Sequence, residues 1–156
     1  AVLFGDGAAA AGAAGGDTRG PRILRTRSLL LENTADIMGW RFGSDGMRLV
    51  LSEQIGPLLR SRLREAVDGI LEGTRPAFWA LHPGGRRILE TYAQALGRGE
   101  RELEWARRAL ARSGNVASAS ALFVLADVLA AARPGDAVLL AAPGPGFALE
   151  SALLAC

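Results

Sequence analysis

The chain contains no lysine, and only one histidine, one cysteine and one tyrosine among its 156 residues. A lone cysteine, Cys156 at the last position, excludes a disulfide within the chain and any cysteine-based metal site. One histidine without clustered carboxylates also falls short of a zinc ligand set, so no metal site is expected. No apolar run has the length needed to cross a bilayer, which sets the expectation of a cytoplasmic protein away from membranes. With lysine absent, all 18 basic residues are arginine, set against 16 acidic ones for a net charge of +2. Arg60, Arg62, Arg64 and the Arg107-Arg108 pair share helix-forming stretches with glutamate, as solvated faces do. Nucleic acid is therefore not an expected partner, and the arginine, alanine and glycine excess fits a GC-rich coding sequence.

What is present is a core. Hydrophobic residues make up 49% of the chain, enough for about one domain of this length. The chain opens without methionine inside what reads as a buried strand, Ala1 to Phe4, as expected of a piece of a longer protein. Gly5-x-Gly7-x-x-Ala10 after that strand, with Glu32 further on, imitates a dinucleotide fingerprint. The helix it requires, 11–16, holds three glycines and no large apolar residue, so a second buried strand of small residues is expected instead. Residues 17–21 read as a turn and Arg22 to Glu32 as a long strand. A loop over Asn33 to Trp40 leads into a hairpin around Ser44-Asp45-Gly46.

Ser52 is placed to cap a helix over Glu53 to Glu72, with Ile55, Leu58, Leu59, Leu63, Ala66, Val67 and Ile70 at helical spacing and Gly73 as its stop. Pro76 to Leu81 reads as a buried strand, and two helices follow, Arg86 to Leu96 and about Arg101 to Arg112. The helix starting at Ser118 is apolar nearly all round and is expected to be central. A buried strand from Ala137 to Ala142, a rigid loop from Pro143 to Gly146 and a strand from Phe147 to Leu154 close the chain. Strands alternating with helices make the class α/β.

Two polar side chains interrupt this apolar plan. His82 follows the buried strand Phe78-Trp79-Ala80-Leu81 and precedes Pro83-Gly84-Gly85, at the strand's carboxyl end, where open α/β sheets bind ligands. Asn115 follows Gly114 just ahead of the apolar helix. Both carry N–H donors, and glycine beside each lets backbone approach a ligand. Such a pair suits a developing oxyanion or enolate in a dry pocket, at roughly 2.7–4 kcal/mol per donor. The histidine also suits a partner thiolate. Cys156, after the last strand, is not expected to reach His82 and reads as incidental.

Several stretches in order resemble the C-terminal half of type III polyketide synthases, the chalcone and stilbene synthase family of the thiolase superfamily. They are Leu3-Phe4-Gly5-Asp6-Gly7-Ala8-Ala9, Trp79-Ala80-Leu81-His82-Pro83-Gly84-Gly85 with Ile88-Leu89, Gly114-Asn115-Val116-Ala117-Ser118-Ala119, Leu122-Phe123-Val124-Leu125, Gly135-Asp136, and Gly144-Pro145-Gly146 with Glu150. The resemblance implies a thiolase-like layered α/β fold, with residues 1–20 as the tail of the N-terminal half and 21–156 as the C-terminal domain. It implies an acyltransferase that condenses an acyl-CoA starter with malonyl-CoA, needs no cofactor beyond these thioesters, and forms a homodimer when full-length.

In that family a cysteine nucleophile carries the acyl chain, while histidine and asparagine support the thiolate and the enolate; His82 and Asn115 match them. Phe4 matches a phenylalanine gating the pocket. Leu49 stands where plant members carry a second one, and Ala117 where a serine is common. Gly84, Gly85 and Arg87 match the wall along the pantetheine arm, and Gly144, Pro145 and Gly146 the loop shaping the cavity. The nucleophile belongs to the family's N-terminal half, so this chain alone is expected to be inactive. Two alternatives remain: a ketoacyl synthase of the fatty-acid type, which usually has His-Gln-Ala-Asn in place of His82-Pro83-Gly84-Gly85, and a non-catalytic structural or dimerising module.

Overall fold

Glycine and proline punctuate the chain into short strands and amphipathic helices. The computed structural model, which describes residues 3–16 and 20–156, shows how they assemble. The elements are β1 (Arg22–Leu30), β2 (Met38–Gly43), β3 (Gly46–Leu51), α1 (Ile55–Leu71), β4 (Phe78–Leu81), α2 (Arg86–Leu96), α3 (Glu100–Ser113), α4 (Ser118–Ala131), β5 (Ala137–Gly144) and β6 (Ala148–Ala155). Among the described residues four strands form one sheet in the order β1-β6-β5-β4, and β2 pairs with β3 in a separate ribbon. β4 and β5 run parallel, as a crossover through three helices permits, whereas β6 is antiparallel to both β5 and β1. The core lies where α1 meets β1 and β6 and where α3 and α4 meet β4. Leu59, Ala80, Leu81, Leu103, Val124, Val138, Leu139 and Leu153 are fully enclosed there.

Arginine on β1 has work beyond solvation. The Arg25 guanidinium donates to the carbonyls of Ile70 (3.2 Å) and Leu71 (3.4 Å), two acceptors without a partner inside α1, the second of which also takes the Thr74 N–H, and to Glu72 Oε2 (2.8 Å). Arg27 lies over Gly69, where an added Cβ would come within 2.7 Å of its guanidinium carbon. β1 thus docks against the last turn of α1 through polar side chains.

Several expectations need correction. Leu3 and Phe4 are exposed, and Phe4 makes only an isolated bridge to Asn115, not a buried strand. Residues 8–16 are exposed and irregular, as an alanine–glycine run offers little apolar area to bury. Ala1, Val2 and residues 17–19 of the expected turn lie outside the described residues. The expected loop before the hairpin already turns extended at Met38, where pairing with Leu51 begins. Gln54, not Ser52, occupies the N-cap of α1, although Ser52 Oγ accepts the Gln54 N–H at 3.2 Å.

The helix α4 is not buried all round: Ser120, Ala121, Val124 and Val128 form one enclosed stripe, while Ala126, Ala130 and Ala131 are exposed. The loop expected over Pro143 to Gly146 is shorter, since the β5–β6 ladder continues through Pro143↔Leu149 and Gly144↔Ala148. No helix of the described residues is long and apolar enough to cross a membrane.

Candidate active site

Pairing with β5 carries the chain one residue past β4. The His82 N–H donates to the Ala141 carbonyl at 2.9 Å, which fixes His82 at the carboxyl end of the parallel pair. The chain then folds tightly, with the Gly84 N–H donating to the His82 carbonyl at 3.0 Å. Gly85 enters α2 at φ 146°, a value that side chains rarely adopt. His82 is only 7% exposed, and its imidazole makes no hydrogen bond to the described residues. Burial lowers its pKa from 6.5 to about 4, so the ring is neutral at pH 7, with one N–H donor and one acceptor nitrogen. A Cβ on Gly84 would sit 3.4 Å from His82 Cδ2 and 3.5 Å from Nε2, so the turn backs directly onto the ring.

Asn115 occupies the break between α3 and α4 and is also 7% exposed. Its backbone is gripped by the N-terminal segment: its N–H donates to the Leu3 carbonyl and its carbonyl accepts from the Gly5 N–H, both at 3.0 Å. Glycine is needed in this crossing, because a Cβ on Gly5 would meet the Ser113 carbonyl oxygen at 2.2 Å. The side-chain amide reaches across to the histidine turn, Nδ2 donating to the Gly84 carbonyl at 3.1 Å. Oδ1 accepts the Ala117 N–H at 3.0 Å. A carbonyl only accepts and an N–H only donates, so these two partners settle the amide's orientation. Gly84 is thus the common neighbour of His82 and Asn115.

The remaining residues fall into two groups. Phe4 bridges to Asn115 and is 43% exposed, Gly85 has Leu3 at its back, Arg87 is exposed in the first turn of α2, and Ala117 is the N-cap of α4. Gly144 ends β5 at the same carboxyl edge as His82, and Pro145 and Gly146 form the turn to β6. That turn is clamped by Thr34, whose Oγ1 accepts the Phe147 N–H at 2.7 Å and lies 3.0 Å from the Gly146 carbonyl. Leu49 stands apart, opposite Trp40 in the β2–β3 ribbon.

Cys156 is at the far end of the sheet, its N–H on the Asp136 carbonyl. Asp136 and Ala141 are separated by five residues of extended chain, about 16 Å at strand rise, so the thiol does not approach His82. Burial first, and the Asp136 carboxylate second, push that thiol's pKa up. Sequence reasoning missed Thr34 and Ser120, two buried hydroxyls that hold the loops in place.

A neutral imidazole and an oriented amide converging on one turn form a pair of donors without net charge, suited to an oxyanion that develops during reaction. Residues 24–156 match the C-terminal domain of chalcone and stilbene synthases. The chain belongs to the chalcone and stilbene synthase family. It is 40% identical to the 1,3,6,8-tetrahydroxynaphthalene synthase of Streptomyces peucetius subsp. caesius, over 98% of this chain and 44% of that protein. It is 31% identical to the 3,5-dihydroxyphenylacetyl-CoA synthase of Amycolatopsis orientalis, over 97% of this chain and 44% of that protein.

The crystal structure of 1,3,6,8-tetrahydroxynaphthalene synthase from Streptomyces coelicolor A3(2), a bacterial type III polyketide synthase, superposes with a TM-score of 0.77 at 27% identity. That match covers 87% of this chain and 41% of the solved one. The thiolase-like α/β fold implied by the motifs is therefore the fold of this chain. The chain spans less than half the length of the relatives it matches. Ketoacyl synthases of the fatty-acid type are not favoured by these likenesses.

Proposed function

We propose that the whole protein is a type III polyketide synthase that condenses an acyl-CoA starter with malonyl-CoA by decarboxylative Claisen condensation. The observation that carries this reading is the meeting of the His82 ring and the Asn115 amide at Gly84, both buried, at the carboxyl end of β4. Loss of carbon dioxide from a malonyl thioester leaves an enolate, whose oxygen needs donors that are already aimed and shielded from water. A neutral His82 N–H and the second Asn115 Nδ2–H supply them. A thiolate brought beside His82 favours its protonated form, because an opposite charge offsets the cost of burial. The reading needs no cofactor beyond the thioesters, and a relative named for an acyl-CoA product, 3,5-dihydroxyphenylacetyl-CoA, supports CoA thioester chemistry.

In this reading residues 1–20 end the N-terminal half, residues 21–156 form the C-terminal domain, and the nucleophilic cysteine lies outside the chain. Phe4 and Ala117 border the cavity, Leu49 on the β2–β3 ribbon holds the position of the second gating residue, Gly84, Gly85 and Arg87 line the pantetheine arm, and Gly144, Pro145 and Gly146 shape the cyclisation end. The full-length protein is a homodimer. The test is malonyl-CoA decarboxylation by the full-length protein. His82→Ala and Asn115→Ala are each expected to slow it by about 10²–10³-fold. Near wild-type rates in either variant would remove that residue from the mechanism. The isolated chain is expected to release no carbon dioxide, and real turnover by it would place the nucleophile elsewhere.

A further inference from the structure

We propose that Ser120 is a positioning residue for Asn115, an inference that rests on the role assigned to Asn115 above. Ser120 is 1% exposed, on the enclosed stripe of α4 with Ala121, Val124 and Val128, where apolar packing alone would call for no hydroxyl. Its hydroxyl has a specific task instead. Oγ accepts the Val116 N–H at 2.8 Å and lies 3.5 Å from Asn115 Oδ1. A serine hydroxyl has a single proton, and with the Val116 N–H taking a lone pair, that proton is left for Oδ1.

The backbone closes the same loop, since the Ser120 N–H donates to the Ala117 carbonyl at 3.0 Å. α4 has no side-chain cap at Ala117, and Ser120, the N3 residue, reaches back past it to the Val116 N–H. Asn115 Oδ1 therefore receives two donors, Ala117 N–H and Ser120 O–H, on the side of the amide opposite the site. Their combined effect is to hold the amide plane and to polarise it, which strengthens the hydrogen bonds that Nδ2 donates to the Gly84 carbonyl and to the substrate. Ser120 touches no substrate; it acts through Asn115.

A double-mutant cycle on the full-length protein tests this, with malonyl-CoA decarboxylation as the readout. Ser120→Ala is expected to lower kcat about tenfold while KM for malonyl-CoA stays within about twofold. Ser120→Cys, which retains a weak donor, recovers part of that loss. In the Asn115→Ala background, Ser120→Ala is expected to cost nothing further. An equal fall in both backgrounds, or no fall in either, overturns the proposal and leaves Ser120 as packing. If Asn115→Ala alone leaves decarboxylation unchanged, the role of Asn115 fails and the role of Ser120 fails with it. Should Ser120→Ala not fold, as judged by circular dichroism, the cycle is run with Ser120→Cys, and the same loss of effect without Asn115 is required.

Discussion

Ala117 holds φ 53° and ψ −134°, a conformation that glycine adopts freely and alanine does not. Its N–H is bound to Asn115 Oδ1 and its carbonyl to the Ser120 N–H, so the strain is maintained by the contacts that aim the amide. Ala117→Gly should relieve it and raise stability by about 1 kcal/mol. Calorimetry should then show the melting point rising by about 2–4 °C; an unchanged or lower value would mean that the backbone is at rest there. At this scale the candidate site was half legible. His82 and Asn115 stood out because each breaks an apolar stretch beside glycine. Ser120 did not, because one serine among alanines carries no periodic or chemical signal until its neighbours in space are known. Thr34 was hidden for the same reason, its partners Gly146 and Phe147 being over a hundred residues away.

Elements were legible where their ends are marked locally. Gly85 and Gly97 bracket α2, and the helix runs between them from Arg86 to Leu96 as its periodicity predicts. Where uniform apolarity replaced pattern, as in α4, the buried stripe could not be told from the open one. The Arg25 contact with α1 was equally invisible, since β1 and the helix end meet only through the fold. It has a measurable weight: carbonyls at a helix C-terminus gain from a cation and its donors. The Arg25 side chain is 36% exposed, so solvent screens its ion pair with Glu72, and the carbonyl contacts carry most of the effect. Arg25→Met should cost about 1 kcal/mol in urea unfolding, with the slope unchanged. A loss no larger than that of Glu72→Gln would assign the effect to the ion pair instead.

For the whole molecule, the buried histidine makes stability depend on pH. His82 has a folded-state pKa of about 4 against 6.5 unfolded, so the unfolded chain binds the proton more readily. The contribution is complete above pH 6.5 and is lost as pH falls from 6.5 to about 4, at an upper bound of about 3 kcal/mol. Unfolding midpoints of this chain between pH 7 and pH 4 should show that slope, and His82→Gln should flatten it; an identical slope in the variant would assign it to carboxylates. Strand order was the least legible feature, because nothing local to β1 announces that its neighbour is β6. Ser28 and Glu150, bonded across that pair, are 122 residues apart in the chain. A ribosome adding about 5–20 residues per second needs roughly 6–25 s to cover that distance. For that interval nascent β1 has an open edge, its backbone N–H and C=O groups without the β6 ladder that later pairs them, and it is a natural client for a chaperone until that strand emerges.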